Sequence, residues 1–484
     1  MYTSLSLDDY VRTSARELGA RVADGRISPV QLCELAIDLA KRTEPALNAY
    51  VRFLDDYARR VAGEREQEAR QGRIRSPLHG VPIAIKDNFY LTGFPVSKGS
   101  RTSGEALATY DSPMIERIVA AGAVIIGKTT MPEFGWKGTG ISPLTGVTRN
   151  PWHLDRNTGG SSAGSAATVA AGAVPIALGS DVGGSVRIPA SFCGVVGLKS
   201  TLGRIPVWPG TVTETLSHAG PLCRTVDDAR LVLHATEGVH AADPLSFGAR
   251  PHIDRFRHER LREGASRIGV VANPFDIPPD ANVASTFSSA IDRISQMVPA
   301  AYREIGIGHP LPREIFEALW VTGRGLGFKD AFARHREIMD PGLVRLGPLA
   351  DAYTLPQFFK AVEARRKFVA AAFALFDSVD LLVMPTMPIV AFDAAAEVPQ
   401  GGEASAPLPW ITWTPYTYPF NLSGQPAISL PCGMSENGLP VGLQVVGSWG
   451  EDELVLDFAQ RAESALDHSR HAGPPPCLRA ALST

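Results

Sequence analysis

The spacing of hydrophobic and polar positions changes at about residue 75. Before that point, apolar residues recur at helical spacing, most clearly over residues 32–39, and Ser28-Pro29 provides a cap and a first turn. Beyond it, short runs that are apolar throughout alternate with stretches of helical periodicity. The apolar runs lie at 81–85, 124–126, 174–178, 268–271, 381–384 and 441–446, and the helical stretches at 113–121, 161–172, 225–236, 283–298 and 356–376.

Strands that are apolar throughout and separated by helices are typical of a sheet whose two faces are both buried. We therefore predict an α/β fold: one domain built on a large mixed sheet covered on both faces by helices. Segments 238–266 and 386–410 lack periodicity and are predicted connections. In chain order, we expect a helical segment packed on the core, the core itself, a helical excursion that caps the sheet, and a C-terminal part that completes the sheet. Their predicted ranges are 1–75, 76–240, 241–375 and 376–484.

The composition is that of a soluble globular protein, with 44% hydrophobic and 20% charged residues among 484. The net charge of -3 gives no electrostatic reason to expect a nucleic acid or an anionic membrane as partner. The chain opens without a basic and apolar leader, and no apolar stretch approaches the roughly 20 residues that span a bilayer. The cysteines are Cys33, Cys193, Cys223, Cys432 and Cys477. Because they are few and contain no Cys-x-x-Cys pair, they favour a reducing compartment, and we expect a cytoplasmic protein.

Segment 157–201 is the most informative part of the chain. Glycine, serine and alanine dominate it, but large apolar residues recur, so the segment must be packed. Small residues let backbones approach closely, and glycine permits backbone angles that other residues resist. Two Gly-Gly-Ser turns, at 159–161 and 183–185, each place a serine at the expected start of a helix, where free backbone N–H groups point outward. The pair of turns weakens, without excluding, a purely structural use of the glycines.

Other known motifs fit this segment less well. A phosphate-binding loop requires Gly-x-x-x-x-Gly-Lys before Ser or Thr, and neither turn carries that lysine. Residues 160–164 match the Gly-x-Ser-x-Gly nucleophile elbow, but that elbow follows a strand, and 151–158 is a polar loop. A Ser-x-x-Lys dyad is absent because no lysine has a serine three residues before it.

Segment 157–201 resembles the signature of the amidase signature family. The likeness is carried by GGSSAGSAATVAAG and GSDVGGSVRIPASFCGVVGLKST, and HGVPIAIKDN at 79–88 is similar to the lysine segment of that family. Further similar segments follow in order at 127–134, 149–152, 421–427 and 438–444, so the likeness extends from about residue 10 to 470. The resemblance implies an amide hydrolase on the fold of that family, with a relay of two serines and a lysine and with neither a metal nor an organic cofactor.

The resemblance implies that Ser185 is the nucleophile, Ser161 the serine that follows a cis peptide bond, and Lys86 the base. A serine hydroxyl is a poor nucleophile until a neighbouring base takes its proton, and Ser161 would relay that proton to Lys86. A lysine is such a base only when neutral, and burial lowers its pKa from about 10.4 by roughly 3–5 units. Lys86 follows the apolar run 81–85, a suitable place to bury an amine, although in isolation surface pairing with Asp87 would be the default.

The turn around Ser185 is expected to supply the oxyanion hole from the backbone N–H groups of Val182, Gly183, Gly184 and Ser185. Donors aimed at a developing oxyanion are worth about 2.7–4 kcal/mol each. Asp181 and Arg187 are expected to pair and hold this turn, and the Ser162 hydroxyl to support the site from beside it. Aromatic residues in loop-like segments are candidates for a substrate pocket: Trp208, Trp410, Trp413, Tyr416 and Tyr418.

Three functions remain open. The first is a free-standing amidase that cleaves a small apolar or aromatic amide, with that small molecule as its partner and a homodimer as one option for its assembly. The second is the glutaminase subunit of a tRNA-dependent amidotransferase, in which an acidic residue ahead of the Pro-x-Asn-Leu-x-Gly segment binds the amino group of glutamine. Thr414 occupies that position here. The third is a non-catalytic binding protein on the same scaffold, which the three intact catalytic positions argue against.

Overall fold

The computed structural model describes residues 4–210, 213–248 and 255–466, together with positions 475 and 479. The α-helices are α1 (Leu7–Arg12), α2 (Ala15–Ala23), α3 (Pro29–Leu47), α4 (Asp55–Arg70), α5 (Pro113–Ala120), α6 (Ala163–Ala170), α7 (Arg187–Cys193), α8 (Val226–Thr236), α9 (Arg255–Arg262), α10 (Ala281–Met297), α11 (Arg313–Gly327), α12 (Lys329–His335), α13 (Pro341–Val344), α14 (Leu346–Asp351), α15 (Leu355–Ala374), α16 (Pro419–Ser423) and α17 (Asp452–Ala465). The strands are β1 (Tyr50–Phe53), β2 (Pro82–Lys86), β3 (Val124–Thr129), β4 (Ile141–Ser142), β5 (Gly146–Val147), β6 (Arg149–Asn150), β7 (His153–Asn157), β8 (Ile176–Asp181), β9 (Val196–Lys199), β10 (His218–Cys223), β11 (Arg267–Val270), β12 (Ala301–Glu304), β13 (Leu381–Pro385), β14 (Ala427–Met434) and β15 (Pro440–Gly447).

One mixed sheet of 11 strands has the order β1-β3-β2-β8-β10-β9-β14-β15-β13-β11-β12. β2 runs parallel to β3 and β8, and β11 runs parallel to β12 and β13, whereas the other neighbours pair antiparallel. Every residue of β2 and β15 is buried, and since successive side chains point to opposite faces, both faces of the sheet are covered there. The predicted fold class is confirmed.

Strands that the apolar runs did not predict complete this sheet. β10 and β14 each carry glycine and proline within the strand, which lowers their strand propensity, and both are held in place by partners on each side. β1 lies inside the segment 1–75 that was predicted to be helical, and it adds an antiparallel edge strand to β3. β12 in the excursion forms the opposite edge of the sheet, so that excursion is not wholly helical.

The helical excursion lies against the Gly-Gly-Ser turns. Phe316 and Trp320 of α11 belong to a buried cluster that also contains Ile188 of α7 and Trp410. A methyl group added to Gly183 would lie 2.9 Å from Phe316 and 2.7 Å from Trp410, so the excursion packs directly on the second turn. Helix α11 of the excursion therefore lies directly against the turn that carries Ser185.

Within these described ranges, no helix is both long and apolar enough to cross a membrane. Nor do the described residues place three or more His, Cys, Asp or Glu side chains where they could hold a metal ion. Cys33, Cys193 and Cys223 are buried free thiols, Cys432 is also buried, and Cys477 lies outside the described residues.

Candidate active site

The two Gly-Gly-Ser turns lie side by side. Ser161 precedes α6 and Ser185 precedes α7, and the backbone N–H of Ser162 donates to the carbonyl oxygen of Ser185 over 3.1 Å. The Gly160–Ser161 peptide bond is cis, as the resemblance implies. Gly184 has a φ of +122°, and a methyl group there would lie 2.3 Å from the hydroxyl of Thr417, so only glycine fits this turn.

Lys86, the last residue of β2, delivers its amine to the first turn. Its Nζ forms hydrogen bonds with Ser161 Oγ at 2.7 Å and with Ser180 Oγ at 3.0 Å, and the side chain is fully buried. Burial lowers the pKa of Lys86 to about 7; the charge of Asp181 opposes this shift and that of Arg324 adds to it. Asp87 pairs instead with Lys128 at 2.9 Å, so Lys86 and Asp87 do not form the surface pair that was considered as the default.

The hydroxyl of Ser185 differs from that of Ser161 in its hydrogen bonding. Ser185 is 5% exposed, and within the described part of the chain its hydroxyl has no hydrogen-bond partner. The structure thus joins Lys86 to Ser161 directly, whereas the step from Ser185 to Ser161 stays a prediction. Ser162 lies beside this step: its hydroxyl donates to the Ser180 carbonyl oxygen and accepts from the Ser180 N–H, both at 3.3 Å.

The Asp181 carboxylate binds one of the four backbone N–H groups that were predicted to form the oxyanion hole. The backbone N–H of Gly184 donates to Asp181 Oδ1 over 2.7 Å, so in this structure that donor is engaged by the carboxylate. The N–H groups of Val182, Gly183 and Ser185 make no hydrogen bond to any described residue. These three donors remain available for an oxyanion.

Asp181 and Arg187 form the expected pair, at 3.0 Å between Oδ2 and Nε, and both are buried. Burial acts to raise the pKa of the Asp181 carboxyl, but the charge and hydrogen bonds of Arg187 hold it below its usual range. Arg187 also donates to Asn421 Oδ1 at 2.7 Å, Gln444 Oε1 at 2.8 Å and the Thr417 carbonyl oxygen at 2.9 Å. Every contact of this guanidinium thus fixes the turn that carries Ser185.

A cavity of about 300 Å³ opens beside Ser161. Of the aromatic residues proposed for a substrate pocket, only Trp208 lines it. The other four are buried outside this wall: Trp410, Trp413 and Tyr418 pack into one apolar cluster, and the hydroxyl of Tyr416 donates to the Ile277 carbonyl oxygen. The apolar part of the wall comes instead from Val182, which was predicted only for the oxyanion hole, and from residues that were not proposed for a pocket: Phe89, Tyr90, Met131, Phe134 and Phe328.

The charged residues that line the cavity are Lys98 and Arg324; none of its described lining residues is acidic. Thr414, the residue at the position where a glutaminase subunit carries an acid, is buried, and its hydroxyl donates to the Trp410 carbonyl oxygen at 3.2 Å. It lies outside the cavity wall. The site therefore offers cations and apolar surface to a substrate.

Several residues of the site were missed by sequence reasoning. Asn421 and Gln444 lie in the segments 421–427 and 438–444 that resembled the amidase signature family, so a signal existed without a role. Ser180, in β8, likewise lies in the quoted segment GSDVGGS, but no role was assigned to it. Arg324 comes from α11 and has no local pattern that distinguishes it from a surface arginine.

Comparison with known proteins identifies relatives over nearly the whole chain. A family model described as Amidase matches residues 31–456. A glutamyl-tRNA(Gln) amidotransferase subunit of a Cyanothece species is 33% identical over 494 residues, covering 95% of this chain and 99% of that protein. The subunit of the same name from Anaeromyxobacter dehalogenans is 35% identical over 96% of this chain and 97% of its own.

Among these solved structures, a hydrolase and an acylamidase have higher TM-scores than an amidotransferase subunit. A 6-aminohexanoate cyclic dimer hydrolase in complex with its substrate has a TM-score of 0.86 at 29% identity, covering 97% of this chain and 100% of its own. A bacterial aryl acylamidase has a TM-score of 0.84 at 27% identity, over 95% and 97% of the two chains. The glutamyl-tRNA(Gln) amidotransferase subunit from Thermotoga maritima has a TM-score of 0.77 at 27% identity, over 98% and 99%.

Proposed function

This chain belongs to the Amidase family, the amidase signature enzymes, and on that premise we propose that it hydrolyses the C–N bond of a carboxylic amide through an acyl-enzyme on Ser185. The observation that supports this most directly is the hydrogen bond of 2.7 Å between the buried amine of Lys86 and the hydroxyl of Ser161. With a pKa of about 7, that amine is substantially neutral at neutral pH and accepts a proton.

In the first half of the reaction, the proton of Ser185 passes to Ser161 as the proton of Ser161 passes to Lys86. The Ser185 oxygen forms a bond to the amide carbon, and the carbonyl oxygen becomes an oxyanion. The N–H groups of Val182, Gly183 and Ser185 bind this oxyanion. The Asp181–Arg187 pair holds these donors in place before the substrate arrives, so no reorganisation is needed during the reaction.

The second half returns the proton. Ser161 passes a proton to the leaving nitrogen while Lys86 restores the proton of Ser161, and the C–N bond breaks to leave the acyl group on Ser185. Water then attacks the ester carbon, its proton follows the same route to Lys86, and the acid leaves as Ser185 regains its hydrogen. A hydroxyl suits the middle position because it donates and accepts at once.

Glutamine is the substrate that the curated relatives favour. The Cyanothece and Anaeromyxobacter proteins belong to glutamyl-tRNA(Gln) amidotransferases, with identities of 33% and 35% over nearly full length. They support a glutaminase subunit, working with other chains, better than they support a free-standing small-amide amidase.

A second candidate, an apolar or aromatic amide, is favoured by the cavity. Its wall contains Tyr90, Phe134, Trp208 and Phe328, and none of its described lining residues is a carboxylate that could pair with the ammonium group of glutamine. The hydrolase and acylamidase structures also give higher TM-scores than the amidotransferase structure does.

One screen separates the two candidates. The purified chain is assayed alone for ammonia or amine release from glutamine, aliphatic amides and aryl amides, with Ser185→Ala as the blank. Turnover of glutamine in preference to the other amides supports the glutaminase subunit. Robust turnover of a non-glutamine amide by the chain alone supports the free-standing amidase, and turnover that survives in Ser185→Ala contradicts the proposed mechanism.

A further inference from the structure

Arg324 is a buried cation without a carboxylate partner in the described part of the chain. The residue is 5% exposed, and none of the ion pairs among described residues includes it. Its Nη1 donates to the Phe134 carbonyl oxygen at 3.1 Å, whereas its buried Nε has no hydrogen-bond partner among the described residues. Burying a guanidinium is costly unless it is paired and hydrogen-bonded, so most arginines at this depth have an acidic partner, as Arg187 does.

The guanidinium lies at the catalytic end of the cavity. Its acceptor, Phe134, directly precedes Gly135, where an added methyl group would lie 3.1 Å from Ser161 Oγ. The positive charge of Arg324 is also close enough to Lys86 to contribute to that amine's lowered pKa. Arg324 lines the same cavity as Ser161 and Val182, so a bound substrate meets this group a short distance from the reacting carbon.

The local packing keeps the guanidinium in place for such a contact. Its central carbon lies 4.8 Å from the centre of the Trp320 ring and 5.9 Å from that of Phe328, a cation–π arrangement with both. Apolar walls on these sides exclude water, and a charge in such surroundings interacts strongly with an ion that enters the cavity. The planar fork of an arginine also matches a carboxylate with two parallel hydrogen bonds.

Lys98 adds a second positive charge to the wall of the same cavity. Its amine lies 5.1 Å from the centre of the Tyr90 ring, and no described acidic residue lines the wall that it shares with Arg324. An ammonium group would therefore enter a site whose described lining residues include two cations and no carboxylate.

We propose that Arg324 binds a carboxylate at the non-reacting end of the substrate, and that the cavity selects amides that carry an anionic group and no ammonium group. This inference rests on the proposed amide hydrolysis and narrows its substrate class. The half-amides of dicarboxylic acids have the required chemistry, with an uncharged amide at one end and a carboxylate at the other.

Binding can be tested apart from catalysis in the Ser185→Ala background, which cannot form an acyl-enzyme. The probes are two matched pairs: 4-carbamoylbenzoate with 4-methylbenzamide, and glutaramate with pentanamide. We expect the anionic member of at least one pair to bind 10-fold or more tightly by calorimetry, and glutamine to bind more weakly than glutaramate because of its ammonium group. Equal affinity within both pairs, or tighter binding of the neutral members, overturns the proposal.

Two further variants in the same background identify the cation responsible. Arg324→Met should bring the anionic-to-neutral ratio of affinities close to one, a loss of about 30-fold or more if the carboxylate is directly paired. Arg324→Lys, which keeps the charge but not the fork, should retain part of the preference. A preference that survives Arg324→Met, or one that is lost only in Lys98→Met, shows that Arg324 is not the carboxylate-binding residue.

Turnover by the wild-type chain then separates this inference from the function on which it rests. Hydrolysis of the neutral amides without any preference for the anionic ones contradicts the role of Arg324 alone. Anionic preference in binding without hydrolysis of any amide contradicts the proposed function alone. Faster hydrolysis of the anionic member, mainly through a lower KM, supports both.

Discussion

Lys86 Nζ lies 2.7 Å from Ser161 Oγ, and Ser162, the next residue, donates its backbone N–H to the Ser185 carbonyl oxygen. Lys86 thus contacts Ser161, and the backbone of the following residue is hydrogen-bonded to the turn that carries Ser185. The side chains of Lys86, Ser161 and Ser185 are proposed to act as a unit, so removal of any of the three should disable the whole relay.

Ser185→Ala and Lys86→Ala are each expected to remove nearly all amide hydrolysis while the fold is kept. Without Ser185 there is no nucleophile, and without Lys86 there is no acceptor for its proton. Losses of about 10³-fold or more in kcat are expected, measured by ammonia release, with circular dichroism as the check on folding. Ser162→Ala, which removes only hydrogen bonds of 3.3 Å to Ser180, should lose much less. Full activity in either of the first two variants contradicts the role given to that residue.

The pH dependence of activity should follow Lys86. The amine must be neutral to accept a proton, and its pKa is lowered by burial to about 7, so kcat/KM should rise through about pH 7 and level off above about pH 8. A profile that is flat from pH 6 to 9 is incompatible with Lys86 as the base. Removing the charge of Arg324, which helps to lower this pKa, should move the rise to higher pH.

The fold was largely predictable, because each apolar run that alternates with helical periodicity is a buried strand. The run 381–384 became β13 and the run 441–446 became β15. β10 and β14 were not predictable in this way, since their stability comes from neighbours on both sides rather than from their own residues. Lys86, Ser161 and Ser185 lie in recognisable segments, whereas Arg324 reaches the cavity only because α11 folds back over the turns.

The buried amine of Lys86 should make the protein less stable than a neutral replacement. In the unfolded chain the lysine pKa is about 10.4, and in the folded chain it is lowered to about 7, so the folded state opposes protonation. The resulting cost is fully present below pH 7 and is lost as pH rises from 7 to about 10.4. Lys86→Met should therefore unfold at higher urea concentration at pH 7, with a gain on the order of 4 kcal/mol that shrinks towards pH 10.

The matched control for this gain is Lys360→Met, at an exposed lysine of α15. It should change the free energy of unfolding by less than about 0.5 kcal/mol at either pH. A Lys86→Met variant that is less stable than the wild type at pH 7 indicates that the amine is not held in a costly environment.

The Asp181–Arg187 pair should tolerate no replacement of its arginine. Arg187→Lys keeps the charge but cannot reach Asp181, Asn421 and Gln444 together, which leaves buried polar groups unpaired. We expect a loss of about 3–5 kcal/mol in the free energy of unfolding and a fall in kcat, because the turn that carries Ser185 is released. The control is Arg12→Lys, whose pair with Asp8 has side chains 49% and 71% exposed and which should cost less than about 0.5 kcal/mol. Similar losses in both variants contradict the structural role of Arg187.

Two glycines with nearly the same φ separate the effect of backbone strain from the effect on catalysis. Gly135 has a φ of +66° and Gly104 a φ of +65°, so alanine at either position carries a similar conformational cost of about 1–2 kcal/mol. At Gly104 the added methyl group meets nothing within 4 Å, whereas at Gly135 it lies 3.1 Å from Ser161 Oγ and 3.4 Å from Met131. Gly104→Ala should therefore lose stability and keep its kcat. Gly135→Ala should lose a comparable amount of stability and also at least about 10-fold in kcat, because a small displacement of Ser161 breaks its contact with Lys86. Urea unfolding and initial rates on the same preparations give both quantities. Equal kcat values in the two variants would show that the Ser161 hydroxyl has no positional requirement, and the relay through it would have to be abandoned.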